Sequence, residues 1–148
     1  MSGNPEAREP LLKSRGAGVI FHIRSTDQFM FFLRDDKPSI SCPNMIDIIG
    51  GHMEDGETPE EAALREVSEE LVDNETGKPF EPGEIRHFST FVDDRPGEHN
   101  IFVCELDSVP NIHTEEGQGL VFLTREQALA TNFAYGYANV VREFMGTV

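Results

Sequence analysis

Cysteine is scarce in this chain: Cys42 and Cys104 are the only two among 148 residues. Two are too few for a disulfide framework, and neither stands in a CxxC pair that would suggest zinc. Long apolar runs are missing too, since none approaches the roughly 18–20 residues a helix needs to cross a bilayer. The leader from Met1 to Arg15 is polar, charged and broken by Pro5 and Pro10, without the apolar centre of a signal peptide. The expectation is a soluble cytoplasmic protein with reduced thiols and no membrane partner. Positive charge is short as well, with 12 Lys and Arg against 27 Asp and Glu and a formal net charge of −15. Such a surface repels polyanions and argues against a nucleic acid polymer as partner. A small phosphate-bearing substrate would need cations to approach it.

What is present reads as a folded domain. Hydrophobic residues at 38% and charged residues at 26% give a globular balance rather than a disordered one. Residues 1–15 are expected to form a flexible leader and 16–148 a single domain. Residues 18–23 read as a buried strand and 28–33 as its partner, with Ser25-Thr26-Asp27 supplying the turn. A short strand over 45–49 should run into Gly50-Gly51, and further strands are expected at 85–91, 100–106 and 119–123. Thr58, Pro59 and Glu61 combine an N-cap, a first-turn proline and a capping box, which predicts a helix over 59–72. Its core stripe would be Ala63, Leu64, Val67 and Leu71. Thr124 with Gln127 opens a second helix to about 130, and 137–145 forms a last one. Mixed strands with interspersed helices indicate an α/β (α+β) sandwich, one sheet between helices.

On the long helix Glu66, Glu69 and Glu70 stand at i, i+3 and i+4 and share one sector. Like charges at this spacing destabilise a helix by a few tenths of a kcal/mol, and the macrodipole adds to the cost in the C-terminal half. Folding alone gives no reason for the arrangement, although a solvated acidic face is the ordinary alternative. A hard divalent cation does give one, because Mg²⁺ takes carboxylate oxygens and keeps waters for substrate phosphates.

The surrounding residues read Gly51-x5-Glu57-x7-Arg65-Glu66-Val67-x-Glu69-Glu70. The run closely resembles the Nudix box of the MutT-like pyrophosphohydrolases, Gly-x5-Glu-x7-Arg-Glu-U-x-Glu-Glu-x-Gly-U, where U is a bulky aliphatic. Every defined position through Glu70 matches. The second glycine does not, since Leu71, Val72 and Asp73 follow, which suggests that the helix continues a little or ends differently at Asn74 or Gly77. Ile49 replaces the proline that many members carry before the Gly-Gly pair.

The resemblance implies a Nudix-type α/β/α sandwich with a mixed sheet, and a Mg²⁺-dependent hydrolase, with Mn²⁺ as a substitute. Glu66, Glu69 and Glu70 match the acidic cluster that holds the metal, and Gly51 the glycine whose carbonyl often joins it. Arg65 matches the arginine that pairs with Glu57 in a structural role. A further carboxylate commonly comes from a later loop, where Glu116 leads, with Glu115 and Glu98 behind. Glu69 or Glu116 would serve as the base that takes a proton from water. Arg34 is expected to contact a phosphate and Asn139 a base edge, while Phe133, Tyr135 and Tyr137 stack or pack. Family proline and tyrosine markers of ADP-ribose and dinucleoside polyphosphate enzymes are absent after the box. A (deoxy)nucleoside triphosphate, cleaved to monophosphate and pyrophosphate, is the leading expectation. A nucleotide sugar, or a catalytically silent nucleotide-binding or regulatory module, is the alternative. A homodimer is compatible with the family.

Overall fold

Alternation of apolar side chains along the strands sets the layers. The computed structural model describes residues 12–148, so the expected leader lies largely outside the described residues, and the first strand already begins at Ser14. In β1 (Ser14–Ile23) Val19 and Phe21 face one side of the sheet and Ile20 the other. β2 (Gln28–Leu33) repeats the pattern, with Met30 and Phe32 against Phe29 and Phe31. Period-two apolarity on both faces demands cover on both faces. Helix α1 (Pro59–Glu70) covers the first face through Ala62, Ala63 and Val67. Helices α2 (Arg125–Leu129) and α3 (Ala138–Met145) cover the second through Ala128, Val140, Val141 and Phe144. Each fully buried Val or Phe side chain contributes about 1.5–3 kcal/mol.

The sheet is mixed. β1 pairs antiparallel with β2 and with β4 (Ile49–His52), and parallel with β7 (Gly97–Leu106). β2 also takes β3 (Ile46–Asp47) and β9 (Gly119–Thr124), while β6 (Arg86–Val92) pairs antiparallel with β7. The expected α/β/α sandwich is therefore the observed one. Among the described residues no helix is long and apolar enough to cross a membrane. Both cysteines are free thiols.

Three local expectations are corrected. Helix α1 stops at Glu70, not near 72, because Leu71 turns to an extended conformation (φ −112°, ψ 128°) while its N–H bonds to Val67 O. Leu71–Asp73 is a strand, β5, paired antiparallel with β8 (Ile112–Thr114). Leu64 is 38% exposed and Ala62 is fully buried in its place, since a helix lying close on β1 and β4 admits small side chains at the contact. The single strand expected over 45–49 is two, β3 and β4, and β4 carries the Gly50-Gly51 pair within it.

Candidate active site

The start of α1 is fixed by local chemistry. Thr58 accepts from Glu61 N at 3.2 Å, and Glu61 accepts from Thr58 N at 2.9 Å, a complete capping box. Just ahead of it, Glu57 receives two bonds from Arg65, Nε to Oε2 at 2.7 Å and Nη2 to Oε1 at 3.0 Å. Arg65 also donates to His52 O at 2.9 Å, Glu66 Oε1 at 3.0 Å and Glu69 Oε2 at 3.1 Å. The guanidinium thus ties the loop before α1, the end of β4 and two helix carboxylates together. Its bonds hold Glu57 below the usual carboxylate range.

Gly51 stands against Glu66. A Cβ built on Gly51 would lie 2.6 Å from Glu66 Oε1 and 2.8 Å from Oε2, so any side chain there would displace the carboxylate. Glu70, one turn on, is only 6% exposed, and its Oε2 is buried with no hydrogen-bond partner among the described residues. Burial pushes its pKa up to about 9, helped by Glu116 and Glu66 and by a hydrogen bond with Glu116. Burial likewise raises Glu66, against the pull of Arg65. Glu116 is exposed, on the loop after β8, its N–H bonded to Thr114 Oγ1 at 3.2 Å. Gly117 holds that loop at φ +61°, with the Leu33 carbonyl where a Cβ would go. The structure thus brings Gly51, Glu66, Glu70 and Glu116 to one place.

A hard cation fits this set. The orphaned oxygen of Glu70 and the glycine cradle of Glu66 are features that folding alone does not require. Among the described residues no three acidic, histidine or cysteine side chains already close on one point; Glu70 and Glu116 border an open cleft. Glu69 stands beside Glu66, the two carboxylates sharing Arg65 Nη1. Its side chain is 54% exposed and is held by Arg65.

The cleft widens into two adjoining cavities that share Arg34, Ile40 and Gly50. One, about 540 Å³, holds Glu70, Glu115 and Glu116 with Lys37 at its side. The other, about 640 Å³, runs over Gly51 and His52 to Asp47, Glu98, His99, Tyr135 and Tyr137. Arg34 spans both. It donates to Asp47 Oδ2 and Ser41 O, each at 3.0 Å, and its guanidinium sits 5.2 Å from the Tyr135 ring centroid. Asp47 is buried, which raises its pKa in spite of Arg34 and the Ile48 N–H.

Not every expected residue arrives here. Asn139 is exposed on α3, bonded to Arg142 at 3.2 Å, and borders neither cavity. Phe133 is core, packed 4.8 Å from Phe31. Glu98 lines the larger cavity but is engaged by Arg15 and Asn100, both at 3.0 Å. The sequence reading missed Asp47, which precedes the Gly-Gly pair inside an apolar strand, where a lone carboxylate was a usable signal. His99 carries no such local sign.

Residues 12–144 match the family model described as NUDIX domain. A search of curated proteins finds no match. Among solved structures, DR0079 from Deinococcus radiodurans superposes with TM-score 0.68 at 23% identity, covering 97% of this chain and 88% of that one. The NUDIX domain of Shewanella oneidensis NrtR, complexed with ADP ribose, gives 0.69 at 13% identity over 99% and 94%. A MutT protein from Methanosarcina mazei Go1 gives 0.65 at 18% over 90% and 94%. Likeness at these identities speaks for the fold, whereas the family match speaks for the lineage. The expectation of a Nudix-type pyrophosphohydrolase is borne out at the level of the family: the chain belongs to the NUDIX domain family.

Proposed function

We propose that this chain is a Mg²⁺-dependent hydrolase of a phosphoanhydride bond in a nucleoside diphosphate derivative, with a (deoxy)nucleoside triphosphate as the preferred substrate. The observation that carries the reading is Glu70, buried with an unpartnered oxygen where Glu66 and Glu116 converge, beside a cavity of nucleoside size. Glu66, Glu70 and Glu116, with the Gly51 carbonyl, would hold the cation. Bound there, it would neutralise substrate phosphate oxygens and acidify water.

The remaining work falls to the chain's own groups. Arg34 and Lys37 are the cations bordering the smaller cavity and take phosphate oxygens. Glu116, the exposed member of the set and so not fully committed to the cation, accepts the proton of the attacking water in preference to the buried Glu70. Tyr135 and Tyr137 wall the nucleoside space. The fold likeness to a domain complexed with ADP ribose favours a nucleotide sugar as second reading. The intact carboxylates speak against a silent module.

The test is release of nucleotide, pyrophosphate and phosphate from a panel of nucleoside triphosphates, nucleotide sugars and ADP-ribose, with Mg²⁺ and with EDTA. Metal-dependent turnover of triphosphates to monophosphate and pyrophosphate is expected. Turnover of sugars alone moves the assignment to the second reading, and silence of the folded protein overturns the hydrolase.

A further inference from the structure

The larger cavity contains a hydrogen-bond chain that the hydrolysis itself does not use. His99, on β7, has both ring nitrogens engaged: Nε2 lies 2.7 Å from Asp93 Oδ2 and Nδ1 2.8 Å from the Tyr137 hydroxyl. Phe91 stacks on the imidazole at 4.9 Å between centroids. The other oxygen of Asp93 is already taken, because Oδ1 accepts from Arg95 N at 2.8 Å and Gly97 N at 2.7 Å. These bonds, that of His99 first, hold the Asp93 pKa at about 2, so Asp93 has no proton to give.

The polarity of the chain follows. Nε2 must carry the proton that Asp93 accepts, and in the neutral ring Nδ1 then presents a lone pair. Tyr137 donates its only hydroxyl proton to that lone pair. What its oxygen can still offer the cavity is acceptor capacity alone. Asp47 and Glu98, both in the same wall, are acceptors as well. Arg34 has its Nη1 on Asp47 and its Nε on Ser41 O, which leaves its remaining N–H groups to the phosphates where the two cavities meet, and the Tyr135 hydroxyl is paired with Ser41.

We propose that Asp93 and His99 are positioning residues that fix Tyr137 as a hydrogen-bond acceptor, so that the cavity selects a base with an amino edge, a 6-aminopurine or 4-aminopyrimidine, over its carbonyl counterpart. The inference rests on the reading that this cavity takes the nucleoside part of the substrate. A carbonyl edge there meets lone pairs and leaves buried acceptors unpaired, which a buried site penalises.

The test is calorimetric binding of AMP against IMP, and CMP against UMP, to the full chain at pH 8.5. Wild type binds AMP and CMP at least about tenfold tighter. Asp93→Asn reverses the chain. Its carbonyl keeps the two backbone bonds, its amide donates to Nε2, the His99 proton moves to Nδ1 and the Tyr137 proton turns to the cavity. Preference then shifts to IMP and UMP. Tyr137→Phe erases the preference without inverting it, and remains informative should Asp93→Asn fail to fold. A purely structural role for the three residues would weaken all four ligands alike. Equal binding in wild type, no binding of any of the four, or a preference unchanged in folded Asp93→Asn overturns the proposal. Selective binding without turnover of any nucleotide would sustain it while removing the hydrolase reading. Turnover without amino preference would do the reverse.

Discussion

Leu71, which caps α1, stands opposite Thr114 in the β5–β8 ribbon. The pairing joins two parts of the site that are 46 positions apart in the chain: Glu70 directly precedes Leu71, and Glu116 follows Thr114 by two. Where the Nudix box has a glycine, this chain has Val72, registered opposite His113. A β-branched residue suits a strand, whereas glycine there gives up packing and adds backbone entropy. Val72→Gly, which restores the box pattern, should cost about 1 kcal/mol in urea unfolding and change kcat by less than the Glu70 variant below. An unchanged midpoint would show that the ribbon contributes nothing to stability.

Glu70→Gln should lower turnover by orders of magnitude and leave the fold intact, since an amide fills the same space without the charge a cation needs. Full activity in this variant would remove Glu70 from the site. Metal-free stability provides a second reading. The folded pKa of Glu70, about 9, lies above its ordinary value of 4.5. The folded state therefore holds a proton that the unfolded state has lost, and the associated stability is present below pH 4.5 and fades as pH rises towards 9. In EDTA the wild-type melting temperature should fall across that window, and Glu70→Gln should flatten the fall.

Mg²⁺ should reverse that loss. A cation that binds only the folded state at a hundred times its Kd adds about 2.7 kcal/mol, or about 5–10 °C for a domain of this size. Thermal melts with Mg²⁺, then with excess EDTA, measure it. Glu66→Gln and Glu70→Gln should each remove most of the shift. A full shift in both would place the cation elsewhere.

Arg65 offers a contrast. Its bonds reach Glu57, Glu66, Glu69 and His52 O, so Arg65→Ala leaves partly buried carboxylates without their counter-charge. A loss of about 1–3 kcal/mol is expected, with activity falling alongside. Arg65→Lys should recover little, because an ammonium cannot make the two-pronged contact with Glu57. A stable but inactive Arg65→Ala would assign the residue to substrate instead.

The parts of this molecule that were legible in the sequence are those written in local chemistry. The capping boxes at Thr58 and Thr124 placed two helix starts, and period-two apolarity placed β2 residue for residue. The β5–β8 ribbon was not legible, because three-residue strands have no period to read and their pairing joins distant segments. Leu64 was misassigned for a similar reason: its exposure depends on how near α1 lies to the sheet. For the site, the spacing of Glu66, Glu69 and Glu70 was visible, but the hold of Arg65 Nη1 on both Glu66 and Glu69 depends on side-chain reach that no spacing records. The Asp93–His99–Tyr137 chain brings together a turn, a strand and the residue that caps α3, which no local pattern records.

Arg34 and Asn139 were both expected at the substrate, and the structure separates them. Arg34 borders both cavities and is the sole donor from a side chain to Asp47 among the described residues. Arg34→Ala removes a phosphate partner and also leaves a buried carboxylate unpaired. KM should rise by about tenfold or more, with some loss of stability. Arg34→Lys tells the two effects apart, because it keeps the charge near the phosphates while losing the fork held by Asp47 and Ser41. Asn139, exposed and bonded among the described residues only to Arg142 on its own helix, should tolerate alanine with kcat/KM within about twofold, and alanine is the better helix former. Steady-state kinetics of the three variants decide it. A tenfold loss in Asn139→Ala would mean that α3 turns that face towards the substrate when it binds, and the cavity walls would have to be redrawn around it.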